Sequence, residues 1–269
     1  MKTLCFTIDL DRDVNICLPG HTPAGSMDRG SGTAPRFDST SEGLPVISEL
    51  LDDLHIKGTF FAEGKTLESI DATSFLSGHE IGMHGYEHED LTGSNGIEYE
   101  RFEKKAILLH SSDVVNDITG IRPQCFRAPY MKIGQDVIDI LPEIGIKYDS
   151  SFYTKMTGTL TPSKMKNGVY EVSVPEGHDA EGKKIAAYLW PMHEGRRVPE
   201  DYISLASQLN KGIFVLATHT WHMSESRKNG KMTSEEMMAN IDNTRKVLEG
   251  ILDLGFVAKT IPDAVRPYE

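Results

Sequence analysis

The segment Leu4-Cys5-Phe6-Thr7-Ile8-Asp9-Leu10-Asp11, near the start of the chain, decides the fold class. Its run of apolar and β-branched side chains predicts a buried strand that ends in two aspartates. Residues two apart on a strand point to the same face, so Asp9 and Asp11 can face one pocket together. The segment therefore predicts a strand whose carboxyl end leads into a polar site.

Similar strand-like runs alternate with amphipathic helical patterns along nearly the whole chain. Strands are predicted at residues 4–10, 58–62, 80–84, 124–128, 147–149, 169–174, 185–190, 213–218 and 255–258. Helices are predicted at residues 44–54, 97–118, 135–144, 202–209 and 234–254. Strands that alternate with helices indicate βαβ units and a parallel sheet. Because the units continue without a break in composition, we expect one α/β domain, a (β/α) barrel over residues 1–269.

Two segments interrupt this alternation, at residues 14–37 and 154–168, and both are rich in Gly, Ser, Thr or Pro. They are too long for idle connections, so we expect functional loops near the carboxyl ends of strands. The first carries Asp28, Arg29 and Arg36 and is expected to set the size and charge of the substrate.

Net charge, the cysteine pattern and the distribution of apolar residues indicate which partners and which cellular compartment to expect. The 269 residues carry a net charge of −12, which repels a polyanion and disfavours nucleic acid. The three cysteines, Cys5, Cys17 and Cys125, form no CxxC pair, so a reducing compartment is favoured. The short apolar start is followed at once by charges, which argues against a signal peptide, and no run is long enough for a membrane span. We therefore expect a cytoplasmic protein whose oligomeric state the sequence does not indicate.

The segment Met83-His84-Gly85-Tyr86-Glu87-His88 places two histidines four residues apart, directly after a short apolar run. On one helical turn, that spacing lets both imidazoles reach the same ion, although a solvated helix start is the alternative interpretation. A hydrolytic metal site needs about three protein ligands and an open position for water. His84, His88 and one N-terminal aspartate supply them, and the other aspartate can take a proton from the activated water. Asp13 is a rival for the carboxylate ligand.

Three further polar residues fall at the ends of predicted strands: Arg127, Asp149 and His219. In a (β/α) barrel the active site forms where strands end and the following loops begin. His222 lies in the same predicted loop as His219, so either histidine could donate a proton. His193 has no partner pattern and is interpreted as a surface or substrate-loop residue. The polar strand ends thus predict one site together with the aspartates and the histidine pair.

Taken in order, these residues resemble the motifs of the polysaccharide deacetylase superfamily, also called the NodB-homology domain or carbohydrate esterase family four. The resemblance covers residues 4–256 and rests on five segments: Thr7-Ile8-Asp9-Leu10-Asp11, His84-Gly85-Tyr86-Glu87-His88, Arg127-Ala128-Pro129-Tyr130, Asp149-Ser150-Ser151-Phe152 and Leu216-Ala217-Thr218-His219. The D-x-D spacing of the first segment resembles a subgroup that includes intracellular deacetylases and allantoinase-like amidohydrolases. The fourth segment departs from the family in having Phe152 in place of Trp. The resemblance implies a deformed (β/α) barrel of the NodB-homology type.

The resemblance also implies roles for the carboxylates and histidines. Asp9 would be the general base and would pair with Arg127, which favours and orients its carboxylate form. Asp11, His84 and His88 would bind a divalent metal. Zn²⁺ is the first choice, although Co²⁺, Fe²⁺ or Mn²⁺ also suits such a ligand set.

Further implied roles concern the acyl group and the leaving group. The backbone N–H at Tyr130 would stabilise the oxyanion. His219 would be the general acid that protonates the leaving amine, and Asp149 would orient it. Phe152 and Trp221 would form apolar walls.

The implied function is hydrolysis of a carbon–nitrogen amide, with N-deacetylation of an N-acetylated sugar as the first choice. Mature cell-wall polymers lie outside the reach of a cytoplasmic enzyme, so a soluble or precursor sugar, nucleotide-linked or lipid-linked, is expected. The D-x-D spacing and the lack of a signal peptide also suit a ring-opening amidohydrolase of cyclic imides or ureides. A catalytically silent carbohydrate-binding protein is the alternative from another functional class.

Overall fold

Strand β1 (Lys2–Leu10) is buried along almost its whole length and has neighbours on both edges. The fold is seen in a computed structural model, which describes residues 1–13 and 35–269. Cys17, Asp28 and Arg29 lie outside the described residues, and so does the predicted substrate loop except for residues 35–37. The role of that loop stays a prediction.

Within the described residues, strands and helices alternate as predicted after β1 except at residues 148–186, where seven strands follow one another without a helix. The strands are β2 (Thr59–Ala62), β3 (Glu80–Met83), β4 (Cys125–Phe126), β5 (Tyr148–Asp149), β6 (Tyr153–Lys155), β7 (Thr159–Leu160), β8 (Ser163–Lys164), β9 (Tyr170–Glu171), β10 (Val174–His178), β11 (Lys184–Ala186), β12 (Lys211–His219), β13 (Glu225–Ser226), β14 (Gly230–Lys231) and β15 (Phe256–Ala258). The helices are α1 (Asp38–Asp53), α2 (Gly64–Ser69), α3 (Thr73–Leu76), α4 (Arg101–Thr119), α5 (Gln135–Ile140), α6 (Trp190–His193), α7 (Pro199–Ser207), α8 (Ser234–Asp253) and α9 (Ile261–Val265). Short 3-10 turns cover Pro129–Met131, Leu141–Ile144, Trp221–Met223 and Arg266–Tyr268. Within residues 1–13 and 35–269, no helix has the length and apolar character needed to cross a bilayer.

A mostly parallel sheet with the order β7-β12-β1-β2-β3-β4-β5-β9-β8 forms the framework. One edge of β1 pairs with β12, and the other edge pairs with β15 and then with β2. The sheet curls into an incomplete barrel, and its end strands β7 and β8 are separated in sequence by only Thr161 and Pro162. The predicted deformed (β/α) barrel is confirmed.

Helix α1 packs an aliphatic face into the core and so holds the turn after β12 in place. That face consists of residues at three- and four-residue spacing: Leu44, Ile47, Leu50 and Leu51. Full burial of one such side chain stabilises the fold by about 1.5–3 kcal/mol. At Gly43 a Cβ atom would lie 2.0 Å from the carbonyl oxygen of Thr220. Only glycine therefore lets the helix approach this turn, which directly follows His219.

The start of α1 differs from the prediction, because the helix begins at Asp38 rather than at residue 44. The carboxylate of Asp13 accepts hydrogen bonds from the backbone N–H groups of Ser39 and Thr40, at 2.9 Å and 2.7 Å. These are two of the first N–H groups of the helix, which lack partners within it. Asp13 and the start of α1 are separated in sequence by the segment 14–37, so local periodicity could not predict this cap.

The segment at 154–168 was predicted to be a loop near the carboxyl ends of strands, and this prediction is wrong. It contributes β7, which pairs with Lys211 and Gly212 at the beginning of β12, the end opposite His219. Gly212 has φ 112°, and a Cβ atom there would lie 1.7 Å from the carbonyl oxygen of Leu160. The close pairing of β7 with β12 thus depends on a glycine.

Candidate active site

The register of the sheet brings the predicted strand ends to one edge of the barrel. Asp9 on β1 lies opposite His219 on β12. β3 and β4 pair through their last residues, and His84 and Arg127 directly follow those residues. Because the strands are parallel, their carboxyl ends open on the same side.

Asp11, His84 and His88 form a buried group that fits a metal ion. One ligand atom from each lies within 4.8 Å of the others, and Nε2 of His88 is 3.5 Å from Oδ2 of Asp11. Nδ1 of His84 lies 2.8 Å from the carbonyl oxygen of Arg127. Since a carbonyl only accepts, Nδ1 is the donor, and a neutral ring then carries its lone pair on Nε2. Two imidazoles and a carboxylate suit Zn²⁺ and related ions, so the residues fit the implied metal.

The segment from His84 to His88 is a loop, so the predicted helical turn is wrong. Gly85 has φ 75° and His88 has φ 60°, both in the left-handed region. The carbonyl of Gly85 accepts hydrogen bonds from the Gly64 N–H at 3.1 Å and the Ser111 hydroxyl at 2.8 Å. A non-glycine residue in this conformation costs about 1–3 kcal/mol, which is typical of a constrained functional site. The turn brings the two imidazole centroids to 4.9 Å from each other.

Arg127 is fully buried and holds the carboxylate of Asp9. Its Nη1 donates to Oδ1 of Asp9 at 2.9 Å. Its other two nitrogens donate to the carbonyl oxygen and the hydroxyl of Ser150, at 3.0 Å and 2.9 Å, and its guanidinium lies 4.4 Å from the ring centroid of Phe61. The predicted pairing of Arg127 with Asp9 is present in the structure.

His219 lies beside Asp9 and is joined to it by Tyr188. The Tyr188 hydroxyl is 2.5 Å from Oδ2 of Asp9 and 3.0 Å from Nε2 of His219, and those two atoms are 4.0 Å apart. Burial disfavours ionisation of Asp9, but the charges of Arg127, His84 and His219 and the hydrogen bond from Tyr188 outweigh it and lower the pKa of Asp9 to about 2. Asp9 is therefore a carboxylate at neutral pH, the form a general base requires.

His222, the alternative proton donor, is bound to another partner. Its Nε2 lies 3.2 Å from Oε1 of Glu194, and its ring is 3.6 Å from the ring of Trp221. His219, by contrast, lies beside Tyr188 and Asp9 at the carboxyl end of β1. The geometry therefore favours His219 over His222 as the group that acts beside Asp9.

The charged neighbours of Asp11 are bound elsewhere in the structure. Asp13, the rival ligand, caps α1, and burial raises the pKa of its carboxyl. Arg12 forms a buried ion pair with Glu63. The structure thus supports Asp11 over Asp13 as the aspartate of the metal group, because Asp11 is the one that lies with the two histidines.

Part of the chain is similar in sequence to known polysaccharide deacetylases. A family model described as polysaccharide deacetylase matches residues 28–148. A peptidoglycan deacetylase of Helicobacter pylori is 30% identical over 129 residues, which are 47% of this chain and 41% of that protein. The chain is thus similar to polysaccharide deacetylases over somewhat less than half of its length. It spans less than half the length of the curated relatives it matches.

Solved structures of the superfamily share the fold at low sequence identity. A Mycobacterium smegmatis protein classed with the polysaccharide deacetylases has a TM-score of 0.57 at 20% identity, covering 97% of this chain and 93% of that one. A family four pseudoenzyme of Bacillus anthracis has a TM-score of 0.56 at 13% identity, covering 98% and 65%. Because a pseudoenzyme shares the fold, activity has to be argued from the residues of the site.

Asp149 lies on β5, beside Ser151 and Glu171. Its Oδ1 accepts a hydrogen bond from the Ser151 hydroxyl at 2.5 Å, and Glu171 lies opposite it in the β5–β9 register. Burial raises the pKa of both carboxyls, and the charge of Asp149 adds to the effect on Glu171. β5 is separated from β12 by β1, β2, β3 and β4 in the sheet. The contacts seen for Asp149 are thus with its own neighbours in the sheet, and its role in orienting His219 stays a prediction.

The remaining residues with an implied role are Tyr130, Trp221 and Phe152. Tyr130 has φ 60°, and its ring meets the ring of His88 edge-on at 4.4 Å. The use of its backbone N–H as an oxyanion donor stays a prediction. Trp221 is buried 5.1 Å from the His219 ring, whereas Phe152 is half-exposed at the surface, so Trp221 fits the role of an apolar wall better.

Sequence reasoning missed Tyr188 and misplaced His193. Tyr188 was included in a predicted strand, and only its position at the end of an apolar run could have drawn attention to it. His193 was predicted at the surface but is buried, with its two nitrogens 2.6 Å from Oδ1 of Asn240 and 2.9 Å from the Thr218 hydroxyl. Burial lowers the pKa of His193 to about 4, so the ring is neutral at neutral pH.

Proposed function

We propose that this chain is a metal-dependent hydrolase that removes the acetyl group from an N-acetylated sugar. The observation that carries the proposal is the joint geometry of an ionised Asp9, the Asp11–His84–His88 group and His219 at one edge of the barrel. A relative named chitin deacetylase 1, from Cryptococcus neoformans, is 31% identical over 112 residues, 40% of this chain and 23% of that protein. Together with the peptidoglycan deacetylase, it supports a sugar substrate.

In the proposed reaction a bound metal ion would supply electrophilic assistance. Asp11, His84 and His88 would hold a divalent ion, with Zn²⁺ as first choice and Co²⁺, Fe²⁺ or Mn²⁺ as alternatives. When bound, such an ion lowers the pKa of a water molecule and polarises the acyl carbonyl.

The chain's own residues move the protons. Asp9, fixed by Arg127, accepts a proton from the attacking water, whose oxygen forms a bond to the carbonyl carbon. The carbon–nitrogen bond then breaks as protonated His219 gives its Nε2 proton to the leaving nitrogen. Acetate and a free amine are the products, and the next cycle begins once Asp9 has lost its proton and His219 has regained one.

The cytoplasmic location and a soluble or precursor sugar substrate belong to the same proposal. Cys5 and Cys125 are buried free thiols, which is consistent with a reducing compartment. Activity found only on insoluble chitin or peptidoglycan would contradict this part of the proposal.

The test measures release of acetate from N-acetylglucosamine oligomers by the Zn²⁺-loaded protein and by the variants Asp9→Asn and His84→Ala. We expect each variant to lose at least about 100-fold in kcat/KM. Matched controls are Asp52→Asn and His178→Ala, which change exposed residues of the same types outside the residues assigned to the site. Turnover near that of the unchanged protein in either site variant would refute the assignment.

A second substrate class and a stability measurement separate the alternatives, because ring opening releases no acetate. Cyclic ureides, offered in parallel, test the ring-opening reaction, which none of the relatives reported above supports. A catalytically silent binding protein would neither release acetate nor gain stability from added Zn²⁺, since its metal group would not be functional.

A further inference from the structure

Tyr188 is placed between the two residues that exchange protons in the proposed reaction. Its phenol ring is buried, and its hydroxyl is within hydrogen-bond distance of both Asp9 and His219. The peptide group between Tyr188 and Leu189 is hydrogen-bonded on both of its sides. Leu189 N–H donates to the Ala217 carbonyl at 2.8 Å, and the Tyr202 hydroxyl donates to the Tyr188 carbonyl at 3.0 Å. The hydroxyl therefore has a defined position.

The direction of the two hydrogen bonds follows from the chemistry of the partners. Asp9 is paired with Arg127 and is a carboxylate, which only accepts. The 2.5 Å distance from the Tyr188 oxygen to Oδ2 of Asp9 is that of a hydroxyl donating to an ionised carboxylate. The hydroxyl has one proton, so its oxygen accepts the other bond, and Nε2 of His219 is the donor at 3.0 Å.

We propose that Tyr188 is a positioning residue that keeps a proton on Nε2 of His219 and directs that nitrogen towards the carboxyl end of β1. The inference rests on the proposed function, since it assigns to Tyr188 the support of the general acid. Asp149 has Ser151 and Glu171 as neighbours, whereas Tyr188 is within hydrogen-bond distance of His219. During cleavage the Nε2 proton goes to the leaving nitrogen, and the ring keeps its second proton on Nδ1.

The phenol is suited to hold this position without competing for the proton. Burial, and then the charge of Asp9, raise the pKa of Tyr188 well above its ordinary value, so the hydroxyl stays protonated. A neutral hydroxyl can accept from the protonated ring of His219 without forming an ion pair with it.

The first experiment needs no substrate and no measurement of activity. Nitrogen-15 NMR of the metal-free protein reports which ring nitrogen of His219 carries a proton, and the signal is assigned by its absence from His219→Asn. We expect a proton on Nε2. A neutral ring protonated on Nδ1 alone would overturn the inference, whatever the activity of the protein.

The second experiment uses two acetyl donors that differ in their need for an acid. N-acetylglucosamine oligomers have an amine leaving group that must be protonated, whereas 4-nitrophenyl acetate releases a stable phenolate. For Tyr188→Phe we expect kcat on the oligomers to fall about 10- to 100-fold with KM little changed, and kcat on the ester to fall by less than about threefold. The control Tyr170→Phe removes a hydroxyl that is 3.3 Å from the Tyr268 carbonyl and should leave both rates unchanged.

The outcomes separate the inference from the proposed function. Equal losses on both acetyl donors, or no loss on the oligomers, would refute the positioning role of Tyr188. If the unchanged protein releases no acetate from either donor, the proposed function fails, and the protonation state of His219 still decides the hydrogen-bond assignment. If Tyr188→Phe does not fold, the NMR measurement on the unchanged protein is the deciding test.

Discussion

Replacement of Arg127 by methionine should destabilise the protein far more than an ordinary arginine substitution. Arg127 is fully buried, and its three donor nitrogens all have partners, on Asp9 and Ser150. Methionine can keep the aliphatic packing near Phe61 but removes the charge. Asp9 then remains as a buried carboxylate with Tyr188 as a neutral donor.

The expected magnitude follows from that unpaired charge. Removing one partner of a buried ion pair costs about 3–5 kcal/mol, because the desolvated charge that remains has lost its compensation. For a chain of this size, such a loss lowers Tm by on the order of 10 °C. Arg122→Met is the control, because Arg122 and Asp113 form an exposed pair, and surface pairs contribute only about 0–1 kcal/mol.

The assay is equilibrium unfolding in urea, with a chelator present so that bound metal does not contribute to stability. The double variant Asp9→Asn/Arg127→Met removes both charges, so it should be less destabilised than the sum of the two single variants by at least about 1 kcal/mol. An Arg127→Met variant that loses no more free energy of unfolding than Arg122→Met would contradict the expected role of the buried ion pair. Additive losses in the double variant would contradict it as well.

Three further outcomes are expected. Zn²⁺ at a free concentration on the order of 100 times Kd should stabilise the unchanged protein by about 3 kcal/mol and leave His84→Ala unaffected, and equal thermal shifts would place the ion elsewhere. Asp13→Ala should destabilise the protein by about 1–2 kcal/mol through loss of the α1 cap yet keep Zn²⁺ affinity in calorimetry, whereas lost affinity would restore Asp13 as a ligand. His193 takes up a proton at about pH 6.5 when unfolded but only at about 4 when folded. The unfolded state therefore binds more protons in that window, so the free energy of unfolding should fall by up to roughly 3 kcal/mol as pH drops from 6.5 to 4. His193→Gln should remove that dependence, and an unchanged pH curve in this variant would count against the buried neutral ring.

The order of strands and the residues at their ends could be predicted from the sequence. A strand buried on both faces is a nearly continuous apolar run, as in β1 and β12, and the polar residue that ends such a run marks where the strand meets solvent or a site. Asp9, His84, Arg127 and His219 were found in this way. In a parallel barrel, a residue at the carboxyl end of any strand lies at the same end of the barrel.

The backbone between those ends was less predictable. The turn from His84 to His88 depends on left-handed residues and on hydrogen bonds from other elements, and a four-residue spacing suits a helix equally well. The start of α1 depends on Asp13, across a segment that no periodic pattern connects to it. Local pattern specifies which residues form an element, but distant donors and acceptors decide where the element begins.

The fold class and the residue types of the site follow from the sequence pattern: two aspartates, two histidines, an arginine and a further histidine at successive strand ends. Which of these side chains act on one another depends on how the barrel packs. Tyr188 reaches Asp9 across 179 positions of sequence, and Asp149 lies opposite Glu171 in the sheet. The reason is physical, since hydrogen bonds and ion pairs depend on distances of about 3 Å that the packing of the barrel fixes, and a sequence records only the side chains available to make them.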